Sequence, residues 1–266
     1  MSRIFIDQMN REVIIPGLPK RIISLVPSQT ELLSDLGLEE ETIGITKFCI
    51  HPEKWFREKT RVGGTKQLDF ERIAGLKPDL IIGNKEENEQ EQIEILMRDY
   101  TVWMSDIRTL DDAYVMMEQI GAMTGREEKA NALVGEIRSR FRDFQRQEKK
   151  KRPCLYFIWK NPWMCAGPDT FIDHLLNICG FENLATGFAG RYPEFTAEEI
   201  KKLAPEVLLL SSEPYPFKEK HIADFQTILP DAKILLADGE MFSWYGSRLR
   251  LAVKYFKDLL QQAETI

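Results

Sequence analysis

The sequence predicts an α/β protein of two similar lobes joined by one long helix, and three observations lead to this fold class. Short apolar strands alternate with amphipathic helices in both halves of the chain, which indicates α/β layers around largely parallel sheets. A pattern in the first half returns in the second half at a constant offset, as from Glu71 to Glu198. Between the halves lies a helical stripe long enough to cross one lobe or to join two.

The first half is predicted to contain a strand, turn and helix unit. Arg21–Val26 has the composition of a buried strand and ends in a Pro-Ser turn. Ser28 and Glu31 have the three-residue spacing of a capping box, and apolar residues at helical spacing continue to a stop at Gly37. The other predicted elements are a hairpin of Ile4–Ile6 with Val13–Ile15, strands at 43–45 and 80–82, and a helix at 70–76.

The second half repeats this order of elements. Strands are predicted at 155–159, 207–210 and 234–237, and a helix at 171–178 that Gly180 stops. The repeat sets Glu71, Ile73, Leu76, Pro78 and Asp79 against Glu198, Ile200, Leu203, Pro205 and Glu206. Agreement at five positions with one offset indicates two lobes of similar structure.

The middle of the chain predicts two consecutive helices between residues 111 and 150, because apolar side chains recur there at spacings of three and four. The stripe is broken near Thr124-Gly125. The second piece, Arg126 to Lys150, would span roughly 37 Å at about 1.5 Å per residue, and the basic residues at 149–152 suit the C-terminal dipole of a helix. We therefore expect an N-terminal α/β lobe over residues 1–124, a linking helix over 125–151 and a C-terminal α/β lobe over 152–266.

Composition and charge argue against several classes of protein. The 266 residues are 43% hydrophobic and 29% charged, which is typical of globular proteins and not of disordered or fibrous ones. Lys and Arg number 36 against 42 Asp and Glu, and the net charge of -6 has the wrong sign for a protein held by phosphate contacts. Nucleic acid is therefore not an expected partner. The chain also lacks an apolar run of about 18 residues that would predict a membrane-spanning helix.

No sequence motif for nucleotide or covalent chemistry is present. The chain lacks a Gly-x-Gly-x-x-Gly loop, a complete phosphate-binding loop and a Gly-x-Ser-x-Gly elbow. The four cysteines lack Cys-x-x-Cys spacing, so we expect free thiols. The three histidines are scattered, so no metal-binding residue is predicted. Cys49 and His51 could form a thiolate and its base, although an inert cysteine is the simpler interpretation.

Aromatic residues follow the C-terminal ends of predicted strands, where open α/β sheets bind their ligands. They are Phe48 after strand 43–45, Trp159 and Trp163 around the turn at 161–162, and Phe242, Trp244 and Tyr245 after strand 234–237. Large aromatic surfaces with few polar neighbours suit a bulky planar or macrocyclic ligand in a cleft between the lobes. For Trp159 and Phe242, burial in the core is the alternative.

Several segments together resemble a known family. They are Arg21–Ser28 with Thr30-Glu31, Val62-Gly63-Gly64, Leu68–Ile73 and Leu76–Ile82. With this combination the chain resembles, from Arg21 to Leu260, the substrate-binding proteins of ABC importers for vitamin B12, haem and iron-siderophores. The resemblance implies two Rossmann-like α/β lobes joined by a rigid backbone helix, the class III periplasmic binding protein architecture. It also implies a monomer, without catalytic residues or an intrinsic cofactor, that captures its ligand with only small hinge motion.

The same resemblance implies a contact with a membrane permease. In that family one acidic residue on each lobe docks onto arginines of the ABC permease dimer, and the matching positions here are Glu71 and Glu198. Carboxylate and guanidinium match bidentately, which suits this role. The alternative is that each glutamate only stabilises a helix N-terminus.

The resemblance also implies a set of ligand-binding residues, at which the chain departs from the vitamin B12 branch. Phe48 matches a corrin-contacting tyrosine, whereas Thr65, Asn84 and Glu194 stand where that branch places tryptophans. The expected ligand-binding residues are Ser28, Phe48, Thr65, Asn84, Trp163, Arg191, Glu194, Phe242, Trp244 and Tyr245. A cobalamin-like corrinoid is favoured. The alternatives are haem, with Tyr245, Tyr192 or His51 as candidate iron ligands, and an iron-siderophore, with Arg191, Arg248 and Trp163 as candidate contacts.

The expected location also follows from the resemblance, because a binding protein that feeds an importer works outside the inner membrane, free in a periplasm or lipid-anchored. The N-terminus as written has neither the apolar region of a signal peptide nor a lipobox cysteine. We therefore keep a second hypothesis, a cytoplasmic homologue that binds or processes a cofactor. If that homologue is an enzyme, Cys49 and His51 are its reactive groups.

Overall fold

The computed structural model describes residues 2–147 and 150–264. It divides into two compact units, each with its own sheet. The first comprises Met1–Ile107, Asp111–Ile137 and Tyr245–Arg248, and the second comprises Arg108–Leu110, Arg138–Trp244 and Leu249–Ile266. The prediction of two α/β lobes is confirmed. The third segment of the first unit comes from near the C-terminus of the chain, which the sequence did not predict.

The first unit is built on a five-stranded parallel sheet. Its elements are β1 (Arg3–Ile6), β2 (Glu12–Ile15), β3 (Ile22–Ser24), α1 (Pro27–Asp35), β4 (Thr42–Ile45), α2 (Glu53–Glu58), β5 (Thr60–Arg61), α3 (Phe70–Leu76), β6 (Leu80–Asn84), α4 (Gln90–Asp99), β7 (Val102–Ser105) and α5 (Leu110–Thr124). The strands β1 and β2 form the predicted hairpin, and the sheet order is β5-β4-β3-β6-β7. The winding reverses between β3 and β6, so the carboxyl ends of these two strands mark the position at which such sheets usually bind ligands.

Helix α1 starts differently from the prediction. Its N-cap residue is Val26, which makes no side-chain hydrogen bond to the helix, and Pro27 occupies the first turn. Proline suits this position because its fixed φ favours a helix start and its missing N–H would have no partner there. The capping box predicted for Ser28 and Glu31 is therefore wrong. Glu31 instead binds Arg248.

Helix α5 and the long helix α6 (Glu127–Gln145) are separated at Gly125, as predicted. The φ of +70° at Gly125 is the left-handed conformation that commonly ends a helix. The boundary between the units falls inside α6, after Ile137. The helix predicted to reach Lys150 ends at Gln145, because beyond Phe144 no apolar residue continues the buried stripe. Glu148 and Lys149, of which only Lys149 belongs to the predicted basic end, lie outside the described residues.

The second unit contains a six-stranded mixed sheet. Its elements are β8 (Arg152–Trp159), β9 (Trp163–Cys165), α7 (Phe171–Cys179), β10 (Phe181–Asn183), β11 (Glu194–Phe195), α8 (Ala197–Leu203), β12 (Val207–Ser211), α9 (Ile222–Gln226), β13 (Lys233–Ala237), α10 (Gly239–Ser243) and α11 (Leu249–Glu264). The order is β11-β9-β8-β12-β13, and β10 also pairs with β8. The strands β8, β10, β12 and β13 run parallel, whereas β9 is antiparallel to its neighbours.

The internal repeat is a structural repeat. The helix and strand pair α3 and β6 returns as α8 and β12, with every boundary displaced by the offset that relates Glu71 to Glu198. Asp69 and Thr196 cap the two helices with their side chains. Both helices end on a left-handed residue directly before a proline, Lys77 with φ of 48° and Ala204 with φ of 46°. Equivalent positions in the two units therefore have equivalent local structure.

Each unit has its own apolar core. In the first unit, core side chains include Ile23, Val62, Ile73, Ile81 and Met104. In the second they include Leu155, Phe157, Ile200, Leu208 and Phe225. Among the helices of the described residues, none is long and apolar enough to cross a membrane.

Candidate functional site

Phe48 is the exposed aromatic residue among the site residues predicted for the first unit. It follows β4, and half of its surface is exposed. The Lys47 ammonium lies 5.1 Å from the ring centroid, within the range of a cation–π contact. Gly64 lies against the ring, since a Cβ at this glycine would be 3.2 Å from Phe48 Cε2. The ring is thus placed on a glycine and keeps exposed surface for stacking.

Thr65 and Asn84 are buried, and the side chain of Asn84 forms hydrogen bonds with other residues of the protein. Its Nδ2 donates to the carbonyl and hydroxyl oxygens of Ser105 at 3.2 and 3.0 Å. Its Oδ1 accepts the backbone N–H of Glu86 at 2.8 Å. The Thr65 carbonyl accepts a hydrogen bond from Asn88 Nδ2 at 3.1 Å. These two predicted site residues therefore shape the loops at the carboxyl edge of the sheet.

Ser28 and Tyr245 meet at the N-terminus of α1, and both are buried. Burial raises the pKa of the Tyr245 phenol well above its ordinary value, and the charges of Glu87 and Glu86 add to this effect, while the Ser28 hydroxyl acts in the opposite direction. Tyr245 therefore lies near the ends of β3 and β6, where the winding reverses. A neutral, buried phenol is unsuited to binding iron, which argues against Tyr245 as a haem ligand.

Trp163 and Glu194 lie on the adjacent strands β9 and β11 of the second unit, and Arg191 lies three residues before Glu194. Trp163 stands opposite Phe195, and Glu194 stands opposite Met164. The Trp163 ring is partly exposed and packs 5.3 Å from that of Phe225. Arg191 is held by its Nε, which donates to the Asp169 carbonyl at 3.0 Å. Trp163 and Glu194 therefore project from opposite faces of this strand pair, with the Trp163 ring on the face of Phe195.

Phe242 lies in the core of the second unit and is 0% exposed. Its ring centroid is 5.0 Å from that of Tyr156 and 4.8 Å from that of Phe256. Helix α10 turns this residue inward, against β8 and α11. This corrects the expectation that Phe242 contacts the ligand and favours the alternative of a core residue.

Trp244 is also largely buried, and its indole N–H donates to Glu213 Oε1 at 3.0 Å. The same oxygen accepts from the Ser243 hydroxyl at 2.6 Å. Burial raises the pKa of the Glu213 carboxyl, with a further contribution from the charge of Glu240, while the two hydrogen bonds act in the opposite direction. Trp244 is therefore held by a carboxyl group that resists ionisation.

The sequence-based set omitted two aromatic residues at the carboxyl edge of the second unit. Trp159 ends β8 and is 41% exposed, so its predicted alternative as a core residue is wrong. Its ring lies edge to face with that of Tyr215, with the centroids 5.7 Å apart. Tyr215 follows β12, a strand that the sequence did predict. Tyr215 follows the end of a strand as Phe48 does, so the same sequence signal marks both residues.

The Cys49 thiol is buried and poorly suited to act as a nucleophile. Cys49 is 0% exposed, and its Sγ lies 3.1 Å from the hydroxyl oxygens of Thr30 and Thr46. Burial raises the pKa of this thiol, which disfavours a nucleophilic thiolate. The hypothesis of an enzyme acting through Cys49 and His51 therefore loses its nucleophile. All four cysteines are buried and free, which confirms the predicted thiols. In residues 2–147 and 150–264, no group of three His, Cys, Asp or Glu side chains could hold a metal ion.

Glu71 and Glu198 occupy equivalent positions in the first turns of α3 and α8, and both side chains are exposed. Within the part of the chain that the structure describes, neither carboxylate has a hydrogen bond or ion pair. Glu199, next to Glu198, differs because its carboxylate accepts the backbone N–H of Thr196 at 2.8 Å. The helix starts are therefore capped by other side chains, and Glu71 and Glu198 remain available to a partner.

Comparison with known proteins gives consistent sequence matches. The family described as "Periplasmic binding protein" matches residues 22–227. The uncharacterized ABC transporter substrate-binding lipoprotein YvrC of Bacillus subtilis is 30% identical over 213 residues, which cover 76% of this chain and 67% of the relative. The vitamin B12-binding protein of Pectobacterium atrosepticum is 24% identical over 249 residues, covering 90% of this chain and 87% of the relative.

Solved structures show the same fold at lower sequence identity. The periplasmic vitamin B12 binding protein BtuF of Vibrio cholerae matches with a TM-score of 0.81 and 22% identity, covering 94% of this chain and 100% of that one. The periplasmic heme-binding protein RhuT from Roseiflexus sp. RS-1 matches with a TM-score of 0.79 and 19% identity, covering 93% and 100%. These proteins share the two-lobed architecture.

Proposed function

Because the chain belongs to the periplasmic binding protein family, we propose that it captures a metal-containing cofactor, with a cobalamin-like corrinoid favoured, and delivers it to an ABC permease. Members of this family are substrate-binding proteins of ABC transport and not enzymes, and this chain is one of them. The observation that carries the ligand proposal is Phe48, an exposed ring at the position where the family resemblance implies a corrin contact. Several relatives named as vitamin B12-binding proteins support the corrinoid.

The proposed ligand contacts are the members of the predicted set that are exposed or partly exposed. In the first unit this is Phe48, and in the second unit these are Trp163, Arg191 and Glu194. The buried members act indirectly, through the packing of the loops that follow the strands. They are Ser28, Thr65, Asn84, Trp244 and Tyr245.

We further propose that Glu71 and Glu198 dock onto arginines of the permease. Three observations support this role: both carboxylates are exposed, neither is engaged within the described chain, and the repeat gives each unit one of them. A bidentate contact to arginine would add both energy and orientation. The protein would then act outside the inner membrane, in a periplasm or lipid-anchored, as the printed names of its relatives describe for those proteins.

Titration of the purified protein tests the ligand proposal. Cyanocobalamin, ferric haem and a ferric siderophore are added separately, and binding is followed by visible absorption and calorimetry. We expect saturable one-to-one binding of cyanocobalamin, weakened about tenfold by Phe48→Ala. Leu251→Ala, an exposed apolar residue of α11, is the control. If only haem or only the siderophore binds, that compound and not a corrinoid is the ligand. If none of the three binds, the proposed receptor function is wrong.

Transport assays test the docking proposal. Glu71→Ala and Glu198→Ala should each lower permease-dependent uptake without changing ligand affinity. Glu91→Ala is a matched control, since Glu91 is also an exposed glutamate in the first turn of a helix, α4. Uptake by the double variant Glu71→Ala/Glu198→Ala at the rate of the control would contradict the docking role.

A further inference from the structure

We propose that Trp159 and Tyr215 form a stacking platform on the second unit that binds the flat face of a ligand with an anionic substituent. This inference rests on the proposed function and adds residues and a charge preference to the ligand site. Trp159 and Tyr215, together with His221 that packs against Tyr215, form the Trp159 platform.

The position of the platform in the sheet favours ligand binding. Strands β8 and β12 are parallel neighbours, with Leu210 opposite Phe157. Trp159 is the last residue of β8, and Tyr215 lies shortly beyond the end of β12. The Tyr215 backbone N–H donates to the Ile158 carbonyl at 3.2 Å, which fixes the segment after β12 to the end of β8. Carboxyl ends of adjacent parallel strands are where α/β sheets bind their ligands.

The Trp159 ring is preorganised for stacking. Its indole N–H donates to the Asn161 carbonyl at 3.2 Å, so its one polar group is already satisfied. With 41% of its surface exposed, the ring offers apolar area that pairing with Tyr215 does not cover. A ring already held in place loses little conformational entropy when a ligand binds.

His221 also packs against Tyr215. The ring centroids of Tyr215 and His221 are 5.6 Å apart, and Tyr215 also lies 4.7 Å from Phe217. His221 Nδ1 accepts the Lys218 backbone N–H at 2.9 Å, so in the neutral ring the proton is on Nε2, which lies 3.4 Å from the Tyr215 hydroxyl. Burial lowers the pKa of His221, and the charges of Lys160 and Lys220 lower it further, while that of Asp224 acts in the opposite direction.

The charges around the platform favour an anion. Lys218 and Lys220 are exposed, and neither ammonium group has a hydrogen bond or ion pair in the described part of the chain. Lys160 is paired with Asp224 at 2.6 Å, and Glu219 is the carboxylate between the two free lysines. Two lysines against one glutamate leave this turn positive. A carboxylate or phosphate on the ligand would be attracted to it, with a strength that salt reduces.

Affinity measurements on variants test the platform, with cyanocobalamin, ferric haem and a ferric tris-catecholate as probes. For the probe that the parent chain binds, Trp159→Ala should raise Kd about tenfold or more, whereas Trp159→Phe should stay within about threefold. Lys218→Gln/Lys220→Gln should raise Kd at low salt, and the difference from the parent should shrink at high salt. Leu251→Ala on α11 is the control and should bind like the parent.

The outcomes separate the platform from the proposed function. If the parent binds none of the probes, both are overturned. If the parent binds one and Trp159→Ala binds it equally well, only the platform is overturned. Should Trp159→Ala fail to fold, the parent is labelled with 5-fluorotryptophan, and the Trp159 signal is assigned as the one missing from Trp159→Phe. We expect this signal to shift when the ligand is added, and a signal that does not move would overturn the platform.

Discussion

The guanidinium group of Arg248 holds both carboxylate oxygens of Glu31, with Nε at 2.9 Å and Nη2 at 2.7 Å. The two side chains are 10% and 18% exposed, so the pair is largely removed from water. Glu31 belongs to α1, and Arg248 belongs to the late segment Tyr245–Arg248. This fork-to-fork contact therefore fixes a C-terminal segment to one of the first helices of the chain.

Removal of Arg248 should destabilise the first unit. Arg248→Ala leaves the Glu31 carboxylate buried without its partner, and we expect a loss of about 3 kcal/mol in the free energy of unfolding. Arg248→Lys keeps the charge but loses the bidentate geometry. Its free energy of unfolding should lie between those of the parent and Arg248→Ala. Urea unfolding measures both. Arg57→Ala is the control, because its pair with Glu53 is 72% and 73% exposed and should contribute under about 0.5 kcal/mol. Equal effects at Arg248 and Arg57 would contradict the role of burial.

Gly246 should not tolerate a side chain. A Cβ at this position would lie 2.6 Å from the Ser28 carbonyl oxygen, and backbone atoms cannot turn aside as a flexible side chain can. We expect Gly246→Ala to lower the free energy of unfolding by about 2 kcal/mol. Gly75→Ala in helix α3 is the matched control, since its Cβ meets nothing within 4 Å and should stabilise the helix by roughly 0.5 to 1 kcal/mol. Thermal unfolding measures the stability of both variants, and a Gly246→Ala variant as stable as the parent would contradict the prediction.

Substitution of Phe242 should lower stability, whereas substitution of Phe48 should weaken ligand binding. Phe242→Ala opens a cavity in the core of the second unit, and we expect a loss of about 3 to 5 kcal/mol. Phe48→Ala removes a half-exposed ring and should change stability by no more than about 0.5 kcal/mol while weakening ligand binding. Calorimetry of unfolding and of binding gives both quantities. A large stability loss at Phe48 would show that its ring is structural.

The thiols should be unreactive in the folded protein. All four cysteines are buried, and burial raises the pKa of Cys49 and, more strongly, that of Cys165. A raised thiol pKa lowers the thiolate fraction at pH 8. With a thiol-specific chromogenic reagent we expect almost no reaction under native conditions and four equivalents after unfolding in urea. Rapid reaction of one thiol that Cys49→Ser abolishes would revive the enzyme hypothesis.

Ionisation of Glu213 should cost stability. Because burial raises its pKa, the folded protein binds this proton more tightly than the unfolded chain does. The contribution is favourable below the ordinary carboxyl pKa of about 4.3 and is lost as the pH rises through the folded-state value. Glu213→Gln keeps an acceptor for Ser243 and Trp244 without the charge. We expect its stability, relative to the parent, to improve from pH 4 to pH 7.5 in urea unfolding. A pH-independent difference would contradict this assignment.

The sequence predicted those elements whose signals are local. The helix at 70–76 has an N-cap aspartate and a proline beyond its end, and the structure places α3 at Phe70–Leu76. The repeat was visible because the same signals return at α8. The start of α1 was mispredicted because two signals overlap at its N-terminus, and the fixed geometry of Pro27 prevailed over a Ser28 cap.

The candidate site was predicted only in part, because burial depends on packing between distant segments. Phe242 and Trp159 both follow or end a strand, yet α10 turns Phe242 into the core while Trp159 remains 41% exposed. Asn84 has a polar side chain at the sheet edge where ligands usually bind, but its amide group already forms hydrogen bonds with Ser105 and with the backbone of Glu86. Contacts of this kind, like the pairing of Arg248 with Glu31, join residues far apart in sequence and leave no local pattern.

The return of residues Tyr245–Arg248 to the first unit affects how the protein is made. A ribosome synthesises the chain from its N-terminus, and domains usually fold as soon as they emerge. The first unit lacks its last segment until almost the whole polypeptide has been translated. Its folding can therefore finish only when the second unit is nearly complete, and no single truncation point yields either unit intact as a separate fragment.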